Sequence, residues 1–163
     1  MNDKILFSTY YFFPFFAILF IGLSSSYAEA KSIFSNETDS LALIALYNTT
    51  HENGDWKIEW NLISPISEWE GVEVNEQGNV VELDLEDNGL SGIITDSIGL
   101  LQNLESLNLS RNRNISGKIP KSIGNLKNLI VLDLRYNLLV GEIPIEFKNL
   151  INLQSLFLSY NNL

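Results

Sequence analysis

Val80-Val81-Glu82-Leu83-Asp84-Leu85-Glu86-Asp87-Asn88-Gly89-Leu90-Ser91-Gly92 is a phrase that this chain uses four times, and the recurrence decides its architecture. Later copies start at Leu104, Leu129 and Leu153, at intervals of 24, 25 and 24 residues. All four follow the pattern LxxLxLxxNxLxGxIP. The extra residue lies in the second copy, in the Arg113-Asn114-Ile115 stretch. A period of this length marks a stacked repeat architecture.

The spacing has a direct physical meaning. Alternating apolar positions in LxxLxLxx point to one side of a short strand. The pairs Leu83 and Leu85, Leu107 and Leu109, Leu132 and Leu134, and Leu156 and Leu158 are therefore predicted to face inward. One copy cannot bury its own apolar side, but stacked copies bury a continuous core. Each buried leucine contributes roughly 1.5–3 kcal/mol before entropy is subtracted. Asn88, Asn112, Asn137 and Asn161 recur where each strand ends. Buried there, an amide is expected to satisfy backbone groups of its own turn and of the next coil. Gly92, Gly117 and Gly141 permit a tight bend, and Pro120 and Pro144 then fix an extended turn. Thr95 holds the proline position in the first copy and is expected to restrain that turn less.

These residues carry a resemblance. Gly117-Lys118-Ile119-Pro120-Lys121-Ser122-Ile123-Gly124-Asn125-Leu126 and Gly141-Glu142-Ile143-Pro144 resemble the plant-type leucine-rich repeats. That type occurs in receptor kinases, receptor-like proteins and polygalacturonase-inhibiting proteins. The resemblance covers about residues 39–163 and implies an α/β repeat fold: a right-handed solenoid with short parallel strands, irregular convex connections and a small helical N-terminal cap. The cap is placed at residues 31–79 and the repeats at 80–163, the last repeat incomplete. An incomplete fourth repeat fits either a piece of a longer protein or a chain that covers its raw edge by self-association.

Within the cap, Ser40 to Thr50 reads as an amphipathic helix with Thr38 or Asp39 as N-cap and Leu41, Ile44 and Ala45 at helical spacing. Trp56, Trp60 and Trp69 come next, and Glu70-Gly71-Val72-Glu73-Val74 reads as a strand. The tryptophans are expected to seal the end of the core; a carbohydrate-stacking site is the alternative. The family's plant members place cysteines after a proline and after Gly-Val in this cap. Here Ile66 and Val74 stand at those places, and the chain has no cysteine at all. Apolar packing must replace the disulfide. Cysteine-free caps with Ala-Leu-Tyr-Asn and Trp-x-Gly-Val look more like versions in fungi, protists and some bacteria.

Residues 1–30 read as a secretory leader. Lys4 gives a weakly basic start, an apolar run spans Ile5 to Leu23, and Ala28-Glu29-Ala30 matches a cleavage pattern. The run is about long enough to span a bilayer, so an uncleaved leader would anchor the chain. Removing Lys4, Asp3 and Glu29 from 10 basic and 20 acidic residues leaves 9 and 18, a net charge near −9. Such a charge disfavours nucleic acid and anionic lipid. Lacking cysteine and holding one histidine, His51, the chain cannot build a thiol nucleophile or a multi-histidine metal site.

The residues between the inward leucines form four rows on the expected concave face: Glu82, Ser106, Val131 and Ser155; Asp84, Asn108, Asp133 and Phe157; Glu86, Ser110, Arg135 and Ser159; Asp87, Arg111, Tyr136 and Tyr160. Tyrosine and arginine are common interface anchors. The candidate binding face is acidic at one end (Glu82, Asp84, Glu86, Asp87), passes Asn108, Arg111, Asp133 and Arg135, and is aromatic at the other (Tyr136, Phe157, Tyr160). Alternation brings Glu82, Asp84 and Glu86 to one side of a strand, a spacing tolerable for a carboxylate pair or Ca²⁺. An open repeat surface has nothing to exclude water and no loop of spaced ligands, so no enzyme, cofactor or metal is expected. Sequons stand at Asn36, Asn48, Asn108 and Asn114, each a candidate N-glycosylation site. The expected function is extracellular or cell-surface recognition of a protein or peptide. Inhibition of a secreted cell-wall-degrading enzyme and a structural surface role are the alternatives. A membrane enters only through an uncleaved leader or a longer receptor.

Overall fold

The computed structural model describes residues 37–51 and 56–163. The leader at residues 1–30 and the sequon at Asn36 lie outside the described residues. No helix among the described residues is long and apolar enough to cross a membrane.

The cap opens on helix α1, Glu37–His51. Glu37 and Asp39 place negative charge at its positive N-terminal end, and no glycine or proline interrupts it. The helix starts earlier than its sequence signals predict, so Asp39 lies inside the first turn. Its buried carboxylate accepts the Val80 N–H at 2.8 Å and ties the cap to the first repeat. Burial pushes the Asp39 carboxyl above its usual range, and the Val80 bond opposes that rise. The buried face also differs from the expected one. Ala42, Leu43, Leu46 and Tyr47 face the core, whereas Leu41 is 50% exposed and Ile44 and Ala45 are half-buried.

Trp56, Trp60 and Trp69 are buried in a chain of ring contacts that begins at Tyr47. Their indole N–H groups donate to the backbone oxygens of Thr50, Glu70 and Asn61. Engaged in packing and with the backbone, they offer no face for stacking a sugar.

Strands β1 (Val72–Val74) and β2 (Val80–Asp84) pair antiparallel, a pairing that the sequence pattern does not reveal. The chain continues through β3 (Ser91–Ile93), β4 (Ser106–Asn108), β5 (Asn114–Gly117), β6 (Val131–Asp133), β7 (Leu138–Leu139) and β8 (Ser155–Phe157). They form two sheets, β1-β2-β4-β6-β8 and β3-β5-β7, and every pairing from β2 onward is parallel. In the larger sheet Leu83, Leu107, Leu132 and Leu156 stand in register, and the first three are fully buried.

The smaller sheet corrects the expectation of irregular connections. Each connection holds a short strand and then a 3₁₀ turn: Asp96–Leu100, Lys121–Asn125 and Ile145–Asn149. Pro120 and Pro144 start two of these turns with backbone geometry alone. At the equivalent place the Thr95 side chain accepts the Ser97 N–H, so this turn is capped by a hydroxyl. Gly92, at φ +125°, meets the end of α1 so closely that a Cβ there would lie 2.1 Å from the Thr49 oxygen.

Asn88, Asn112 and Asn137 are buried as expected and Asn161 is half-buried, but all four bond to the preceding coil. Asn112 Nδ2 donates to Leu85 O at 2.7 Å and to Leu109 O at 3.1 Å, while its Oδ1 accepts Leu90 N–H at 3.0 Å. Asn161 repeats this with Leu134, Leu158 and Leu139. Asn88 makes the equivalent pair of bonds to Ile58 of the cap. Asn137 donates normally to Leu109 and Leu134, but its buried Oδ1 accepts no hydrogen bond among the described residues. By the pattern its donor should be the Ile115 N–H. The extra residue of the second copy lets that N–H turn back to Asn112 O at 2.9 Å instead.

Candidate functional site

Strand register sets the first two predicted rows, and backbone bonds just past the strands carry the alignment into the other two, where Ser110 is buried rather than presented on the face. Glu82, Ser106, Val131 and Ser155 are aligned across β2, β4, β6 and β8, as are Asp84, Asn108, Asp133 and Phe157. The second row is less available than its composition suggests. Asp84, Asn108 and Asp133 each turn a side-chain oxygen onto the backbone N–H two residues on, at 3.0, 3.1 and 3.0 Å. Asp133 is buried beneath Arg135, whose Nε donates to it at 3.0 Å. Phe157 breaks the series, lies 39% exposed and receives the Arg135 guanidinium 4.7 Å from its ring centre.

The row Asp87, Arg111, Tyr136 and Tyr160 has a property that the sequence does not announce. All four backbones are left-handed, at φ 48°, 62°, 57° and 61°. That conformation costs a non-glycine residue roughly 1–2 kcal/mol. The turn needs it, because the following asparagine must point inward while the strand ends. One consequence is that four successive side chains leave the coils at the same angle and stack along the solenoid. Lys57 Nζ meets Asp87 at 2.7 Å, and Arg111 Nε meets Glu86 at 2.9 Å. The Arg111 guanidinium lies 5.0 Å from the Tyr136 ring centre, and Tyr136 stacks on Tyr160 at 4.2 Å with an interplanar angle of 9°. Tyr160 is 69% exposed.

Glu82, Glu73 and Asp84 form the acidic end, over a shallow cleft shared with Trp69, Glu70 and Gly71. Glu73 stands directly opposite Glu82 across the antiparallel pair. Desolvation, then the charges of Glu73 and Asp84, push the Glu82 carboxyl above its usual range. By contrast, the Lys57 hydrogen bond holds Asp87 below its usual range. The bond to Asp133 raises Arg135 further still. Among the described residues no group of three or more His, Asp or Glu side chains could hold a metal ion. Lys57 and Glu73 join the face without having been predicted there. Both come from the cap, and the alternation of Val72-Glu73-Val74 is the only hint that Glu73 shares this face.

A parallel-strand solenoid with an inward asparagine at every turn defines a leucine-rich-repeat domain. The leucine-rich-repeat family model matches residues 78–139. One member of a solved Arabidopsis thaliana BIR3–SERK2 complex superposes with a TM-score of 0.67 at 33% identity, covering 76% of this chain and 69% of that one. A plant ice-binding protein superposes with a TM-score of 0.70 at 31% identity, covering 77% of this chain and 41% of that one. The LRR receptor-like serine/threonine-protein kinase GSO2 of Arabidopsis thaliana is 47% identical over 142 residues, 85% of this chain and 11% of the kinase. The chain belongs to the plant-type leucine-rich-repeat family. It spans between 8% and 14% of the length of the curated receptor-like relatives it matches, and the matched part is their repeat region rather than a catalytic domain.

Proposed function

We propose that the concave sheet is the recognition face of an extracellular or cell-surface receptor-like module, and that its ligand is a protein or a peptide. The observation that carries this reading is the Arg111–Tyr136–Tyr160 stack beside Arg135–Phe157. Tyrosine rings supply contact area at little entropic loss, and tyrosine and arginine are enriched among interface anchors. The receptor-like names of the relatives support the same reading. Shared fold alone would not choose it, since the same solenoid also serves an ice-binding protein.

The test is panning of a displayed library of secreted plant peptides and ectodomains on the immobilised chain. Binders are expected to lose at least about thirtyfold in affinity on the Arg111→Ala/Tyr136→Ala/Tyr160→Ala variant, the scale of two or more kcal/mol typical of anchor residues. Binders that ignore this variant but are lost on Ile93→Asp or Leu138→Asp, on the smaller sheet, would overturn the assignment.

A further inference from the structure

We propose that Asn48 and Asn114 carry N-linked glycans and that Asn108 does not, so that one flank of the solenoid is sugar-coated and the concave sheet is bare. This pattern goes beyond the recognition role and does not depend on any ligand.

Asn48 is exposed near the end of α1. The hydroxyl residue of its sequon, Thr50, is fully buried, with Oγ1 donating to Leu46 O at 2.8 Å. That bond helps fix the last turn while Asn48 faces water. Asn114 is exposed at the start of β5, and Ser116 of its sequon donates to Gly92 O at 3.2 Å. The two sites are neighbours in the fold. Thr49 O lies against Gly92 of β3, and Ser91 of β3 pairs in register with Asn114. The end of α1, β3 and β5 therefore lie side by side, with the half-exposed Ile93 on the strand between them. Two glycans here would shield that apolar surface.

The Asn114 sequon exists because of the extra residue in the second copy. The other three copies run Asn-x-Leu through this bend, whereas the second runs Asn112-Arg113-Asn114-Ile115. That insertion diverts the Ile115 N–H from Asn137 and leaves a buried amide oxygen without a partner among the described residues. What it provides in exchange is an outward-facing asparagine two residues before a serine.

Asn108 has the opposite surroundings. It is half-buried in β4, between Asp84 and Asp133 on strands roughly 4.8 Å away on either side. Its Oδ1 already accepts the Ser110 N–H. A branched glycan on Nδ2 would stand among these aligned side chains, so closure of the strand competes with modification.

The experiment is secretion of the full chain from plant cells. The product is digested, released with peptide-N-glycosidase A in heavy-oxygen water, and mapped by mass spectrometry. Heavy-aspartate marks at positions 48 and 114 and none at 108 are expected. Asn48→Gln and Ser116→Ala should each remove one glycan step on a gel, while Asn108→Gln should leave the mobility unchanged. An occupied Asn108, or a bare Asn48 or Asn114 in the secreted protein, overturns the proposal. The map is read on the unsubstituted chain, so a variant that fails to fold does not decide it. Loss of ligand capture would bear on the concave face alone and leave this result standing.

Discussion

Two rows of residues sit one position apart in every repeat and meet opposite fates. Asn88, Asn112, Asn137 and Asn161 are the same residue four times and turn inward. Asp87, Arg111, Tyr136 and Tyr160, each just before its asparagine, run from acid to base to two aromatics and point outward. The backbone treats both rows identically from coil to coil. The difference lies in what each side chain must satisfy. An inward amide has to match a fixed set of backbone donors and acceptors. An outward side chain has only to tolerate a left-handed backbone, so its identity is free to serve recognition.

The largest expected effect comes from breaking the inward row at its most complete member. Asn112→Ala strands Leu85 O and the Leu90 N–H and takes one of two amide donors from Leu109 O, which keeps the Asn137 bond; it should lower unfolding free energy by about 3 kcal/mol at a net one per lost bond. Urea melts followed by circular dichroism give the value. Asn137→Ala should cost roughly 1 kcal/mol less, because its Oδ1 holds no bond to lose. Equal losses at the two positions would refute the account of the interrupted ladder. Removing the inserted residue by deleting Arg113 should return the Ile115 N–H to Asn137 and bring the two costs together in the same melts.

The outward row should answer weakly. Asp87→Gly relieves the left-handed strain but gives up the exposed Lys57 pair, so the melting temperature should stay close to the parent's. A large loss in thermal melting would show that this row is structural after all.

The smallest effect is electrostatic, at the acidic end. Glu82 has a folded carboxyl pKa raised above its usual 4.5, so the fold disfavours its charged form. That penalty is complete above the raised value, shrinks as pH falls through it, and is absent below 4.5. Glu82→Gln should therefore stabilise the chain at neutral pH and lose its advantage at pH 4, measured as a pH series of melting temperatures. A constant difference across the series would assign the gain to packing.

Much of this is legible in residue order, because a repeat states its rule several times. The inward leucines of the first three copies, the row alignment and the burial of Asn88, Asn112 and Asn137 follow from spacing, whereas in the fourth copy Leu156 is exposed and Leu158 and Asn161 are half-buried. The rest depends on contacts between distant positions. Nothing in Val72-Glu73-Val74 says that it pairs antiparallel to β2, or that Glu73 will oppose Glu82. Helical spacing points Leu41 inward, yet the cap helix packs along a line through Ala42, Leu43 and Leu46 that only the first coil defines. On the candidate face, Asp133 reads as a binding residue, but both of its oxygens are engaged by Arg135 and its own turn. Spacing puts Arg111, Tyr136 and Tyr160 in one row, but the left-handed turns that bring their side chains into a stack are not visible in it.

The extra residue near Asn114 also has a consequence for how such a chain can change. Register across β2, β4, β6 and β8 stays unbroken on either side of it, Leu107 opposite Leu132 and Asn108 opposite Asp133. The slack is taken up in the bend before β5, with the loss of one amide bond. The larger sheet thus works as a ruler with ticks roughly 4.8 Å apart, and the opposite flank as a spool that absorbs spare length. Insertions on the spool side leave every address on the ruler unchanged, so the surface that meets a partner is insulated from length variation elsewhere in the coil.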